Sequence, residues 1–347
     1  MVRVLIAGLV AMVIAVAIGP QFIEWLRRQS VGQQIREEGP KHHMAKQGTP
    51  TMGGLLIVFA AVAPFLVVSL YTIPGLTVLF ATLGCALIGF ADDFLKVRKR
   101  RSLGLSGRWK MLGLLLITAG VGWATTRIGY KDTEIYFPAI DVNIDLHWFY
   151  FPFLFLVIGG TSNGVNLTDG LDGLAAGTCA ISLLTLLAIA AIDWLRSGDP
   201  GFRSDEYLDI AIIGAALIGA VIGFLWFNAF PAEVFMGDTG SMALGGAIAT
   251  LSIVTETEVL LIFIGGIYLI ETLSVIIQVA SFKRTGKRVF LMAPIHHHFE
   301  MKAWSETKIM VRWWVVTAIL CAAGFALFYK YYPQIQPTPV APHVKAQ

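Results

Sequence analysis

The stretch LTVLFATLGCALIGFADDFLKVRKRR, residues 76–101, sets the reading of the chain. It is apolar from Leu76 almost unbroken to Ala91, and a helix needs roughly 20 such residues to cross a bilayer core. Asp92 and Asp93 follow, and then Lys96, Arg98, Lys99, Arg100 and Arg101. An apolar helix that runs into a basic loop is a membrane span emerging on the cytoplasmic side, where Lys and Arg concentrate. Carboxylates at the edge of hydrocarbon are costly, which makes them functional candidates.

Working outward, the same pattern recurs. The chain has 347 residues, 56% hydrophobic and 14% charged, with mean hydropathy +0.70. A soluble domain carries nearer about 25% charge. Apolar stretches near 4–26, 52–71, 76–95, 110–126, 148–160, 173–194, 208–228, 241–255, 259–280 and 312–330 predict an all-α polytopic membrane protein of ten transmembrane helices. The loop after the first span holds Arg27, Arg28, Arg36, Lys41 and Lys46, and the loop after the ninth holds Lys283, Arg284, Lys287, Arg288, Lys302, Lys308 and Arg312. With the loop after the third span these contain most of the 26 Lys and Arg residues, and strict alternation puts all three on one face. That face is cytoplasmic, and both termini are periplasmic. Residues 1–332 read as a single transmembrane catalytic domain, and 333–347 as a Pro-rich, polar, disordered periplasmic tail. Ala15-Val16-Ala17 resembles a cleavage site, but Val4–Ile18 reads as part of an uncleaved first span. Cys85, Cys179 and Cys321 lie in apolar stretches without CxxC spacing, and predict neither disulfides nor a metal site.

Alternation tests function as well as topology. Residues that serve folding alone scatter over both faces, whereas catalytic residues gather on one. Here GTPTMGG at 48–54, ADDFLK at 91–96, NGVNLTDGLDG at 163–173, NAFPAEVFMGDTG at 228–240 and PIHHHFE at 294–300 all fall on the cytoplasmic face. Neighbours on a helix point about 100° apart, so Asp92 and Asp93 face different partners, with Lys96 in reach of either. Asp238 sits between glycines that admit a close ligand, and with Asp92 or Asp93 it suits a hard cation such as Mg²⁺. Asp238, Thr239 or Ser241 would equally cap the eighth span, and Thr168 or Asp169 the sixth. Asn166, Asp169 and Asp172 suit recognition of a nucleobase edge or sugar hydroxyls. Consecutive histidines do not converge on one zinc ion, so His296, His297 and His298 read better as phosphate contacts or proton carriers. Lys46, beside GTPTMGG, is the loop-one cation most suited to an anionic partner. No Walker A or GxGxxG motif follows a strand, which excludes a soluble nucleotide fold, and nothing points to nucleic acid.

The segments KHHMAKQGTPTMGG, ADDFLK, NGVNLTDGLDGLA, NAFPAEVFMGDTGS and APIHHHFE, in order from 41 to 300, resemble the phospho-N-acetylmuramoyl-pentapeptide transferases within the polyprenyl-phosphate N-acetylhexosamine-1-phosphate transferase superfamily. The resemblance implies transfer of phospho-MurNAc-pentapeptide from UDP-MurNAc-pentapeptide to undecaprenyl phosphate in the bacterial inner membrane. The products would be lipid I and UMP, Mg²⁺ would be required, and the chain would act as a homodimer. It makes Asp92 and Asp93 the paired acids and Asp238 the magnesium ligand. It associates Asp172, Asn228 and Phe235 with uridine, Phe235 by stacking, and puts Lys46 near the nucleoside. His296–His298 would lie at the active site. A further loop-two lysine matches Lys110, with Arg108 as the alternative. GTPTMGG and PIHHHFE would select the sugar.

Two other readings remain in view. A transferase using UDP-GlcNAc with the same lipid is the nearer. An ion-coupled transporter would place acids at mid-bilayer, where this chain has only Glu271.

Overall fold

In a computed structural model of the chain, residues 1–29, 48–99, 103–127, 132–138 and 140–332 are described. They form twelve helices and one hairpin: α1 (Val2–Arg28), α2 (Gly54–Val68), α3 (Ile73–Lys99), α4 (Gly107–Arg127), β1 (Glu134–Phe137), β2 (Val142–Asp145), α5 (Tyr150–Thr168), α6 (Leu174–Arg196), α7 (Asp205–Asn228), α8 (Gly237–Val254), α9 (Leu261–Ile264), α10 (Gly266–Thr285), α11 (Ile295–Met301) and α12 (Glu306–Tyr331). Seven helices are long and apolar enough to cross a membrane: α1, α3, α5 with the short turn before it, α6, α7, α10 and α12. This is a multi-pass, predominantly helical membrane protein.

α8 is the hub. Every residue from Thr239 to Val254 is buried, as expected of a helix apolar or small on all sides. α3 and α5 pack along it, and α7 lies against α1, α6 and α2. α1 buries one stripe, Val4, Ala7, Ala11, Ala15, Gly19, Ile23 and Leu26, and turns the rest outward. Its small residues meet small residues of α7: a Cβ on Gly219 would lie 2.0 Å from the Gly8 carbonyl oxygen. Close backbone contact through small residues is how helices associate where lipid removes the hydrophobic drive.

Three features depart from the expectation. A two-stranded antiparallel hairpin, Glu134–Phe137 against Val142–Asp145, stands between α4 and α5 as a small addition to the all-α architecture. Asn163–Thr168 belong to the last turns of α5 and only the remainder of that segment is loop. The ninth apolar stretch is two helices, broken at Gly265, where the freed Ile264 carbonyl accepts from the Ser182 hydroxyl at 2.8 Å.

Candidate active site

Three helix ends meet at one point. The last turns of α3 carry Asp92, Asp93 and Lys96, the first turn of α4 carries Lys110, and the first turn of α8 carries Asp238. Asp92 and Asp93 are 1% and 3% exposed. The angular offset between them decides their partners. Asp93 faces α8, accepting from the amides of Asp238 at 3.1 Å and Thr239 at 2.9 Å and from the Thr239 hydroxyl at 2.7 Å. It thereby caps α8 from another helix. The residue in the N-cap position, Met236, offers no side-chain bond, and Asp238, Thr239 and Ser241 do not cap their own helix. Ser241 donates instead to the Gly237 carbonyl.

Asp92 meets different donors, the Leu105 amide at 2.7 Å and Lys110 Nζ at 3.0 Å. Lys96 Nζ lies 2.6 Å from Asp92 Oδ2 and 3.0 Å from Asp238 Oδ1, and Lys110 Nζ lies 2.7 Å from Asp238 Oδ2. Burial opposes charge on Asp238, but Lys96 and Lys110 outweigh it and hold its carboxyl well below the ordinary range. Of the two loop-two candidates, Lys110 is inside the cluster and Arg108 is exposed.

The cluster also fits a metal. One oxygen from each of Asp92, Asp93 and Asp238 can be chosen so that all lie within 4.8 Å of one another. Two ammonium groups against three carboxylates leave net negative charge, and all three donors are hard oxygens of the kind Mg²⁺ takes.

Backbone contacts fix this geometry. Phe235 donates its amide to the Pro50 carbonyl, while Gly53 and Gly54 donate to the carbonyls of Phe235 and Met236, each at 2.8 Å. GTPTMGG is therefore a clamp on the segment that delivers Asp238. Gly237 has φ +73°, and a Cβ there would lie 2.7 Å from Asp93 Oδ2, so both conformation and space call for glycine.

The other candidates lie on the loops and helix ends around α8. Asn166 donates to Ser241 Oγ at 2.9 Å. The Asp169 carboxyl is pushed up to about 8, by burial first and then by Asp238 and Asp93. Asp172 accepts from the Ala232 amide at 3.0 Å. Asn228 accepts from the Gly173 amide at 3.1 Å and donates to the Val234 carbonyl at 2.9 Å. Asp172 and Asn228 are buried braces between loops, and Phe235 is half-buried beside them. α6 begins at a left-handed Gly173 with no side-chain cap, so neither Thr168 nor Asp169 caps it. Lys46 and the tail from 333 lie outside the described residues.

The three histidines, indistinguishable in sequence, differ in structure. All lie on α11. His298 Nδ1 accepts from the Leu291 amide at 3.1 Å, and burial and Lys302 hold this imidazole below its ordinary pKa. His297 pairs with Glu300. His296 is fully buried, with Nδ1 3.1 Å from Glu271 Oε2 and Nε2 directed at Gly170, beside Asp169. Glu271 and its second partner, Trp313, are residues the sequence did not single out as part of a site.

The profile of glycosyl transferase family 4 matches residues 75–256, a span that holds Asp92, Asp93, Lys96, Lys110 and Asp238, and so gives the class of protein. The first signature of phospho-N-acetylmuramoyl-pentapeptide-transferase matches residues 46–58, which include the clamp. The chain is 45% identical over 343 residues to the phospho-N-acetylmuramoyl-pentapeptide-transferase of Frankia alni, covering 94% of this chain and 97% of that one. It is 48% identical over 319 residues to that of Halalkalibacterium halodurans, at 90% and 94% coverage, and 46% identical over 325 residues to that of Bacillus subtilis, at 92% and 96%. The chain belongs to the phospho-N-acetylmuramoyl-pentapeptide-transferase family.

Proposed function

We propose that the chain transfers phospho-MurNAc-pentapeptide from UDP-MurNAc-pentapeptide to undecaprenyl phosphate, releasing UMP and forming lipid I. The observation that carries this reading is the convergence of Asp92, Asp238, Lys96 and Lys110 at three helix ends, in a chain of that family. Phosphoryl transfer is mostly positioning and charge neutralisation, and this cluster offers both. Lys96 and Lys110 are placed to meet pyrophosphate oxygens. Asp92, held by ion pairs and one amide, is placed to orient the lipid phosphate and to take its proton where it carries one. An oxygen of the lipid phosphate then bonds to the β-phosphorus as the bond from that phosphorus to the bridging oxygen breaks. UMP leaves with that oxygen. Asp93 is buried and already accepts three hydrogen bonds, which weakens it as a nucleophile and favours this single displacement over attack by Asp93.

Asp238, with Asp92 or Asp93, is proposed to hold Mg²⁺, which would neutralise charge on the pyrophosphate. The proposal includes ten spans, both termini periplasmic, the site on the cytoplasmic face of the inner membrane, and a homodimer. The fit of the muramyl signature at 46–58 favours this substrate over UDP-GlcNAc.

The test is UMP release by detergent-solubilised protein with undecaprenyl phosphate and Mg²⁺, comparing UDP-MurNAc-pentapeptide with UDP-GlcNAc. Release with the muramyl substrate alone, abolished by EDTA, is expected. Release with UDP-GlcNAc alone would overturn the sugar assignment, and release with neither would overturn the reaction.

A further inference from the structure

Glu271 is the anomaly of α10. It is the one charged residue on the buried stripe Gly266, Ile267, Tyr268, Glu271 and Ser274, and is 0% exposed. A carboxylate removed from water needs partners. It has two, both from other elements: Trp313 Nε1 of α12 donates to Oε1 at 2.6 Å, and His296 Nδ1 of α11 lies 3.1 Å from Oε2. Each oxygen thus serves one ring nitrogen, and neither reaches the cluster of Asp92, Asp93 and Asp238.

The other nitrogen of His296 tells why this matters. His296 is 0% exposed, and its Nε2 has no hydrogen-bond partner. That atom points at the loop after α5: a Cβ on Gly170 would lie 2.4 Å from it. Gly170 adjoins Asp169, whose carboxyl feels Asp238 and Asp93. A buried ring nitrogen without a hydrogen-bond partner, packed against the loop that carries Asp169, calls for an explanation.

We propose that Glu271 is a positioning residue that keeps the His296 proton on Nδ1 and presents a bare Nε2 to the substrate as a hydrogen-bond acceptor or base. The proposal rests on the reading that this face carries the transfer reaction. Which nitrogen of an imidazole is protonated is set by what the other one meets. A carboxylate has no proton to give, so Nδ1 facing it is the donor. Trp313 matters because an indole N–H can only donate. It occupies one carboxylate oxygen and fixes the plane in which the other faces His296.

The same logic gives a sharp test. In Glu271→Gln the amide oxygen must accept from Trp313, since the indole cannot accept, and the amide NH₂ is then left facing His296 Nδ1. The imidazole must accept there, and its proton moves to Nε2. Adding Trp313→Phe frees the amide oxygen to turn to His296 and restores the original tautomer. Protein labelled with ¹⁵N-histidine, in detergent at pH 8, above the ordinary imidazole range, reports the tautomer of His296 directly, its resonances identified by their loss in His296→Gln. Expected are an Nδ1–H tautomer in the wild-type chain and in Trp313→Phe, Nε2–H in Glu271→Gln, and Nδ1–H again in the double variant. UMP release should fall roughly 10²- to 10⁴-fold in Glu271→Gln, the range seen when a tautomer or a ligand's orienting partner is lost. The double variant should recover about tenfold or more of that loss, with KM for the nucleotide substrate little changed throughout. A wild-type tautomer in Glu271→Gln, a reversed one in Trp313→Phe, or turnover in Glu271→Gln within about threefold of wild type would each overturn the proposal. If the wild-type protein released no UMP, the reaction reading would fall, whereas the ¹⁵N spectra would still decide whether Glu271 sets the tautomer.

Discussion

Asp92 and Asp93 are neighbours in sequence and opposites in surroundings. Asp93 spends both oxygens on the N-terminus of α8, while Asp92 is held by two lysines and one amide. Substituting each with Asn should therefore give different results. Asp93→Asn weakens a helix cap, a loss of about 1–2 kcal/mol, and should lower both the thermal midpoint in detergent and UMP release. Asp92→Asn should cut release by about 100-fold or more while the midpoint moves little. Equal shifts of midpoint in the two variants would sink this division. The lysines divide as clearly. Lys110→Met removes a cation 2.7 Å from Asp238 and should cost about 100-fold in turnover. Arg108→Ala, on an exposed position two residues away, should stay within about twofold. At this scale the sequence was most legible where chemistry is costly: acids at the edge of hydrocarbon stand out whatever their partners. It was silent where the partner comes from afar. His296 and His298 separate because Glu271 of α10 and the Leu291 amide reach them from outside α11, whereas His297 pairs with Glu300 one turn along the same helix.

At the scale of elements, the ten apolar stretches each fall on helix, because uninterrupted apolar runs leave a chain in lipid little alternative. The ends were harder to read. The polar residues Asn163 and Asn166 look like loop but belong to the last turns of α5, since a half-buried Asn is accommodated in a helix when a partner such as the Gly159 carbonyl or Ser241 hydroxyl is near. The hairpin at 134–145 was not anticipated, as two short strands give little periodicity between spans. GTPTMGG was noticed for its composition, but its part as a clamp is tertiary. A Cβ on Gly54 would sit 2.0 Å from the Gly240 amide nitrogen, with backbone on both sides and no flexible side chain to move. Gly54→Ala should therefore destabilise by about 1–3 kcal/mol, as overpacking does, and should displace the start of α8. Thermal midpoint and UMP release should fall together, whereas a wild-type midpoint would mean that α2 and α8 are free to separate here.

For the whole molecule, the placement of charge makes one claim that packing alone does not test, namely which end faces the cytoplasm. The aspartate–lysine cluster, the clamp and α11 gather at the ends of α3, α5, α7 and α10, and the basic residues Lys283, Arg284, Lys287 and Arg288 follow α10 at that same end. The hairpin lies between α4 and α5, after an even number of proposed crossings, and so belongs on the opposite face. Exposed positions at the two ends are available for labelling: Asn143 on β2 and Lys287 after α10. The native cysteines do not interfere, because Cys85, Cys179 and Cys321 are all buried. In intact cells with the outer membrane permeabilised, a membrane-impermeant maleimide should label Asn143→Cys and leave Lys287→Cys untouched. In inverted inner-membrane vesicles the pattern should reverse. Labelling of both positions from one side would break the strict alternation on which ten spans depend. The full pattern with sides exchanged would put the site in the periplasm, away from any cytoplasmic UDP-linked donor, and would end the proposed reaction with the topology.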